Sequence, residues 1–445
     1  MRKEISIIKG SPSLLLAIPL SLISLLLIFI LRPFIHIRIG FLRCDRIGHF
    51  AGNTELYLCE KDDQGNRSVD LFYLPRNPCN LQLLRMWERE LIVLPWFFLR
   101  PMDLIIRSFD FLSSFHAANA RGGDRDIDGY YEKYPPHLDF TAEEKKYGES
   151  ELRKLGVPEG SLIVCIIVRD DAYLKDIYSL DKDYMDFRNC DIQNYVLVAE
   201  ELAERGYYVF RMGAKVNSPM KSSHPKVIDY ASKGMRSDFM DIYLGSKCAF
   251  CITNGTGFDA IPNIFRRPIV HVNAIPFGGC YTWGNSPIVV TKHHMDISDG
   301  HELTLSEIFD RGAAYFSYSS DYESNGIYFI ENTPEEILDA VLELDDRLKG
   351  AWQELEEDKS LQEQFWDIFL TSKFNYYEAS ENQVLFLRLL QDPVEIKSRY
   401  SAKFLRSNKG WLSLTNKLYS NETAENSEEH LKILQTFRSK VLMDG

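Results

Sequence analysis

The sequence predicts an α/β protein of two successive parallel-sheet domains behind an N-terminal apolar helix. Three observations predict it. From Leu162 to Asn273, strand-length apolar runs alternate with amphipathic helical stretches. A shorter series of the same kind, Ile35 to Leu112, comes before, and an uncharged run from Gly10 to Leu31 comes before both. Repeats of strand, helix and strand need crossovers, and crossovers place helices on both faces of a parallel sheet.

The uncharged run has Arg2, Lys3 and Lys9 on one side and Arg32-Pro33 on the other. At about 1.5 Å per residue it reaches roughly 33 Å, enough to cross bilayer hydrocarbon. Arg32-Pro33 stands where a signal peptide would carry small residues, so residues 1–34 read as an uncleaved membrane anchor. Positive charge on both flanks sets no orientation. Residues 35–112 follow almost without a linker, as strand Ile35–Leu42, helix Ala51–Cys59, strand Val69–Leu74, helix Leu81–Glu90, strand Leu91–Leu94 and helix Pro95–Leu112. Residues 113–160 are polar and irregular and read as an interdomain passage. They hold one helix, with Thr141 as cap and Glu144 closing the box.

The second domain, 161–350, opens on Leu162–Val168, an apolar strand that ends in Arg169, Asp170 and Asp171. Helix Asp191–Arg205 stops at Gly206, strand Tyr207–Phe210 ends in Arg211-Met212-Gly213, and Lys226–Tyr230 is a short strand. Helix Arg236–Ser246, strand Cys248–Thr253, the turn Asn254-Gly255-Thr256-Gly257, helix Phe258–Phe265 and strand Pro268–Asn273 complete the pattern. Trp283–Val290 and Ile327–Ile330 are further strands. Thr333, Pro334 and Glu336 start the helix Glu335–Leu348. In 351–445 the helices Ala351–Leu370 and Gln383–Leu390 precede a segment Tyr400–Leu405 and an acidic tail, Asn421–Glu429.

Lys and Arg number 51 against 64 Asp and Glu, a net charge of −13, which excludes a nucleic-acid-binding surplus. The eight cysteines lie mostly inside apolar runs and read as reduced core residues, consistent with catalytic domains on the cytosolic side of the inner membrane. His293-His294 reads as a solvated loop pair, and no metal or cofactor is expected.

Ligands of doubly wound sheets bind outside the carboxyl ends of the strands, where Arg169, Arg211 and the Asn254–Gly257 turn fall. Guanidinium forks match phosphate oxygens, and a glycine turn opening a helix offers backbone N–H groups and a positive dipole end. Together they predict a diphosphate site.

Several pieces carry a family likeness: Val168-Arg169-Asp170, Phe187-Arg188-Asn189, Arg211-Met212-Gly213, Ser237-Asp238-Phe239-Met240-Asp241, the Asn254–Gly257 turn with Arg266-Arg267-Pro268, and Arg38-Ile39-Gly40 with Arg46-Ile47-Gly48-His49. In these the chain resembles, over roughly residues 35–410, an uncharacterised bacterial glycosyltransferase family of the GT-B class linked to surface polysaccharides. It is more distantly similar to O- and α1,6-fucosyltransferase-type enzymes, in which an Arg at the position of Arg169 contacts the donor diphosphate. Ile167 stands where their pattern has His.

The resemblance implies a metal-independent GT-B glycosyltransferase with two Rossmann-like domains. Its partners would be a nucleotide sugar, a lipid-linked or surface glycan acceptor, and the membrane. His49 and Arg169 are the expected catalytic residues; Arg188, Arg211, Gly213, Asp238, Asn254, Gly255, Thr256 and Gly257 are the expected donor-binding residues. Two other classes share the pattern: a non-catalytic GT-B-like assembly protein of a polysaccharide pathway, and a sugar-nucleotide epimerase.

Overall fold

The computed structural model describes residues 12–65, 67–118, 123, 125–173, 185–280, 288–376 and 398–414. Residues 1–9, the helix expected at 383–390 and the acidic tail lie outside them.

Helix α1 (Pro12–Leu31) leads into a small parallel sheet with the order β1 (Ile37–Phe41), β2 (Val69–Tyr73), β3 (Ile92–Val93). Helices α2 (Ile47–Asp63) and α3 (Leu81–Glu90) connect its strands, and α4 (Trp96–Ser108) follows. Successive side chains of β2 point to opposite faces. Phe72 therefore meets Tyr57 of α2, ring centroids 5.3 Å apart, while the Tyr73 hydroxyl donates to buried Asp103 of α4 at 2.9 Å. Arg38 grips Asp70 with both Nε (2.7 Å) and Nη2 (3.0 Å), tying β1 to β2. Burial alone would raise the Asp70 carboxyl, but donors from Arg38, Lys61, Tyr57 and Ser68 hold it well below the usual carboxylate range.

The expected membrane anchor finds no support here. Among the described residues no helix is long and apolar enough to cross a membrane. Instead α1 lies along α4, with Ile28 and Leu25 against Leu99, Met102 and Ile106. The apolar face of α4 gives it a protein partner.

After α5 (Ala142–Lys154), capped by Thr141 and Glu144 as expected, comes the main sheet. Its strands are β4 (Ile163–Ile167), β5 (Tyr208–Met212), β6 (Val227–Ile228), β7 (Phe250–Thr253), β8 (Ile269–Ala274), β9 (Ile288–Thr291) and, later in the chain, β12 (Arg399–Tyr400). All seven are parallel, in the order β12-β9-β8-β7-β4-β5-β6. The chain winds outward from β4 to β5 and β6, then returns to β7 and winds the other way, so the order reverses between β4 and β7. Every residue of β4, β7 and β8 is buried, which is why these strands are mostly apolar, with Thr253, His271 and Asn273 their buried polar residues.

Helices α6 (Val196–Glu204), α7 (Asp238–Lys247), α8 (Ala260–Ile264), α9 (Pro334–Leu348) and α10 (Glu356–Tyr376) cover the sheet. Short 3-10 turns, Ile192–Tyr195 and Gly257–Asp259, replace the first turns expected of α6 and α8. The two sheets share one core, in which Phe50 and Trp87 from α2 and α3 join Leu244, Phe258 and Ile261.

His293 and His294 are not a loop pair. They lie in β10 (His293–Asp296), antiparallel to β11 (Ile327–Ile330) in a separate two-stranded sheet. Alternation explains their opposite fates. Burial pushes His294 down to about 3. His293 is half-buried, which would lower it, but Glu302 at 2.6 Å and Glu336 at 3.1 Å outweigh this and raise it to about 10. All eight cysteines are free, seven of them buried.

Candidate functional site

A cleft of about 340 Å³ opens at the point where the strand order reverses. In open parallel sheets this is the place for a ligand, because the loops leaving the two central strands diverge there. Its walls come from the segment after β4 (Met185, Phe187, Arg188), the turn after β7 (Asn254–Gly257), the end of β8 (His271, Ala274) and the first turns of α2 (Gly48, Gly52). Arg125 and Tyr131 of the passage also line it, as do Asp259, Asn263 and Ser317.

Asn254 organises this end of the sheet. Fully buried, it accepts from the Arg169 backbone N–H at 2.9 Å and donates to the Arg188 carbonyl at 2.8 Å. Its side chain is spent on holding the two central loops together, so it shapes the cleft and offers little of itself to a ligand.

The glycine turn is similarly occupied. Gly255 N–H donates to Thr253 Oγ1 at 3.0 Å, Thr256 N–H to Asp259 Oδ2 at 2.9 Å, and Phe258 N–H to Thr256 Oγ1 at 3.2 Å. Asp259 already supplies negative charge to this helix start. The expectation that the turn presents open backbone donors is corrected for these three: two serve the capping box of Thr256 and Asp259, and the third bonds Thr253. Gly255 has a φ of +85°, and its carbonyl accepts from Arg188 Nη2, which carries that guanidinium into the cleft wall.

The N-terminal half contributes the longer helix end. The first turn of α2, 17 residues long, holds no acid, and Arg46 at its N-cap makes no side-chain cap. Its positive dipole end meets the cleft through Gly48. A Cβ on Gly48 would stand 3.0 Å from Gly257 Cα, so two glycines let the halves touch backbone to backbone. His49, one position on, bonds through Nδ1 to Asn53 Oδ1 at 3.1 Å, and is not among the cleft-lining residues.

The remaining expected residues are dispersed. The Arg169 guanidinium reaches Met185 Sδ at 3.6 Å, one layer behind the cleft surface. Arg211 is 1% exposed and paired with Asp229 at 3.4 Å, because it lies inside β5, where its side chain points into the protein. Burial lowers its pKa from the ordinary arginine value. Gly213 makes room for Val216, whose Cγ1 would sit 2.6 Å from an added Cβ. Asp238 accepts from the Leu81 N–H at 2.8 Å and its carbonyl accepts from Asn80 at 3.0 Å, stapling α7 to α3. None of these four lines the cleft.

Arg125 carries no signal in the sequence, since it sits in an irregular segment, yet it faces the cleft beside Arg188. An added Cβ on Gly279 would fall 1.6 Å from Arg125 Nη1. Gly279→Ala is expected to displace that guanidinium and weaken diphosphate binding by about tenfold or more, the worth of one charge-assisted hydrogen bond. Urea midpoint should barely move, because a flexible side chain yields. Isothermal titration with a nucleoside diphosphate showing unchanged affinity would remove Arg125 from the site.

His271, buried in the cleft wall, is pushed down to about 3 and so is neutral at ordinary pH.

Behind the cleft, Glu55, Cys59 and His137 bring ligand atoms within 4.8 Å of one another, a set with metal-ligand chemistry. It does not fit a cation. The Arg266 guanidinium already binds Glu55 Oε1 at 2.6 Å and reaches Cys59 Sγ at 3.7 Å, and burial pushes the Cys59 thiol up. Burial would lower His137, but Cys59, Glu55 and Asp62 together raise it to about 10.

Such a group binds its proton more tightly in the folded state. Its stabilisation is full below about pH 6.5 and fades as pH rises through about 10. His293 acts in the same direction. The urea midpoint should therefore fall between pH 7 and 10, and His137→Gln should flatten part of that slope; an unaltered slope would refute the assignment.

The sequence matches no family profile and no curated protein. Similar solved structures include a glycosyl transferase of family 9 from Veillonella parvula DSM 2008, at 11% identity and TM-score 0.38, covering 58% of this chain and 86% of that one. The ADP-heptose LPS heptosyltransferase II of E. coli aligns at 12% identity and TM-score 0.39, over 71% of this chain and 99% of its own. The iron-containing dodecameric glycosyltransferase TibC from enterotoxigenic E. coli H10407 aligns at 12% and 0.29, over 54% and 59%. Likenesses of this size identify no activity.

Proposed function

We propose that the chain is a glycosyltransferase of GT-B type that takes a nucleotide sugar in the cleft between β4 and β7 and transfers the sugar to a glycan, lipid-linked or at the cell surface. One observation carries the reading: two arginines, Arg125 and Arg188, face a cleft at the reversal point of a parallel sheet, closed from the other side by the N-terminus of α2. In the reaction an acceptor hydroxyl oxygen bonds to the anomeric carbon while the bond to the diphosphate breaks, its electron pair leaving on the phosphate oxygen. Charge grows on that oxygen, and fixed donors aimed at it lower the barrier. Arg188, Arg125 and the α2 dipole supply this charge, with Arg169 behind them. His49, one position beyond cleft-lining Gly48, is the proposed acceptor of the hydroxyl proton.

Because arginines meet the diphosphate, the reaction is proposed to need no metal. The free buried cysteines support a cytosolic placement, at the inner membrane if the acceptor is lipid-linked.

Thermal shift with GDP, UDP and CMP tests the reading. A ligand at 100 times its Kd stabilises by about 2.7 kcal/mol, and release of that nucleotide from its sugar conjugate should persist in EDTA. Stabilisation without turnover would favour the non-catalytic assembly protein, isomerisation of the free sugar nucleotide the epimerase. Activity lost in EDTA and restored by manganese would overturn metal independence.

A further inference from the structure

Helix α1 spends one side on α4 and leaves the other bare. Leu22, Ile23, Leu26, Leu27 and Ile30 remain 53–59% exposed while Ile28 is buried. The patch continues onto α4 and the turn behind it, where Phe97 is 61% and Phe111 75% exposed, with Trp96, Phe98 and Phe109 beside them. Phe34, just past α1, is 89% exposed. Soluble monomers seldom leave so many neighbouring apolar side chains in water.

Charge says what covers them. Arg100 lies 5.9 Å from the Trp96 ring, Arg107 5.8 Å from Phe41 and Arg32 5.3 Å from Phe115. Arg100 lies over exposed Trp96, while Arg32 and Arg107 lie over Phe115 and Phe41, rings packed in the core beneath this face, so guanidinium groups flank it where lipid headgroups would be. They do so on a chain whose net charge is −13. A second copy bound through the same face would set these arginines against themselves, since a two-fold contact joins identical patches. Arg107 already pairs with Asp103 at 3.7 Å, and headgroup phosphates would neutralise Arg32 and Arg100.

We infer that the α1 and α4 face docks on an anionic bilayer, its aromatics seated in the interface and both helices lying along it. This face lies across the small sheet from α2 and α3, which pack on the main domain, so docking leaves the donor cleft unencumbered. The inference goes beyond the donor reading and does not rest on it: vesicle partition reports this face, and nucleotide stabilisation reports the cleft.

The test is cosedimentation of the full chain with vesicles of phosphatidylcholine alone and of phosphatidylcholine mixed with phosphatidylglycerol. The chain should partition to the mixed vesicles and be partly released by salt. Phe97→Ser, Phe98→Ser and Phe111→Ser combined should lower partition by about tenfold or more, since each removes buried apolar area. Melting temperature and nucleotide stabilisation should stay as in the parent. Should that triple variant fold poorly, Arg32→Glu with Arg100→Glu is the second arm, expected to abolish the preference for anionic vesicles. Unchanged partition in either folded variant overturns the proposal. So does a chain that ignores both vesicle types and sediments as a dimer that the phenylalanine variant dissociates, which would make a second copy the occupant.

Discussion

Arg188→Ala is expected to slow sugar transfer by about 10²–10³-fold, the usual loss when one preorganised donor to a developing oxyanion is removed. Its guanidinium is fixed to the Gly255 carbonyl and faces the cleft. The diphosphate gains charge as the glycosidic bond breaks, so the loss should fall mainly on kcat and less on KM. Arg211→Ala is the internal control. That arginine is buried against Asp229, and its loss should lower the urea midpoint while the turnover of the folded fraction stays near the parent value. Steady-state kinetics with a melting curve for each variant separate the two. If Arg211→Ala slows transfer as much as Arg188→Ala without destabilising the fold, the assignment of the cleft is wrong.

Arg211 also shows what the sequence conceals. It stands one residue before the end of an apolar strand, as Arg169 stands just after another, and the two look equivalent on paper. Strand side chains alternate, so one position decides whether an arginine points into the core or toward the loops at the strand's end. A charge inside an apolar run, with Asp229 18 residues on, just past the next strand, gives no sign of that pairing. The same alternation separates His293 from His294.

Where one physical signal acts alone, the reading holds. Thr141 with Glu144 and Thr333 with Glu336 form the capping boxes their spacing predicts. Runs such as Ile163–Ile167 and Ile269–Ala274 are strands buried on both faces. Arg125 was not legible because its position depends on Gly279, more than a hundred residues away. The apolar run at the amino terminus was legible as a helix. Its packing on α4 depends on Leu99, Met102 and Ile106, which a hydropathy window over the run itself does not include.

Arg266→Ala is expected to cost roughly 1.5–3 kcal/mol, the loss of one of two cationic partners of a buried carboxylate, since His137 remains 3.2 Å away. Glu55 is fully buried, and Arg266 Nη2 binds it at 2.6 Å. The same guanidinium donates to the carbonyls of Ile264 (2.6 Å), Tyr134 (3.0 Å) and Pro135 (3.0 Å) and lies 4.7 Å from the Tyr131 ring. One side chain thus joins α2, the passage and the end of α8 behind the cleft. The urea midpoint should drop with the m-value unchanged. Glu55→Gln introduced alongside should recover part of the loss, because the under-compensated charge goes with it. Arg266 also holds a φ of +59°, unfavourable for any side chain bearing a Cβ. Arg266→Gly loses the same contacts but sheds that strain, so it should be about 1 kcal/mol more stable than Arg266→Ala. If the two are equal, backbone strain at this joint is negligible. If Arg266→Ala costs less than about 1 kcal/mol, Glu55 is not relying on this arginine, and the node does not hold the halves together.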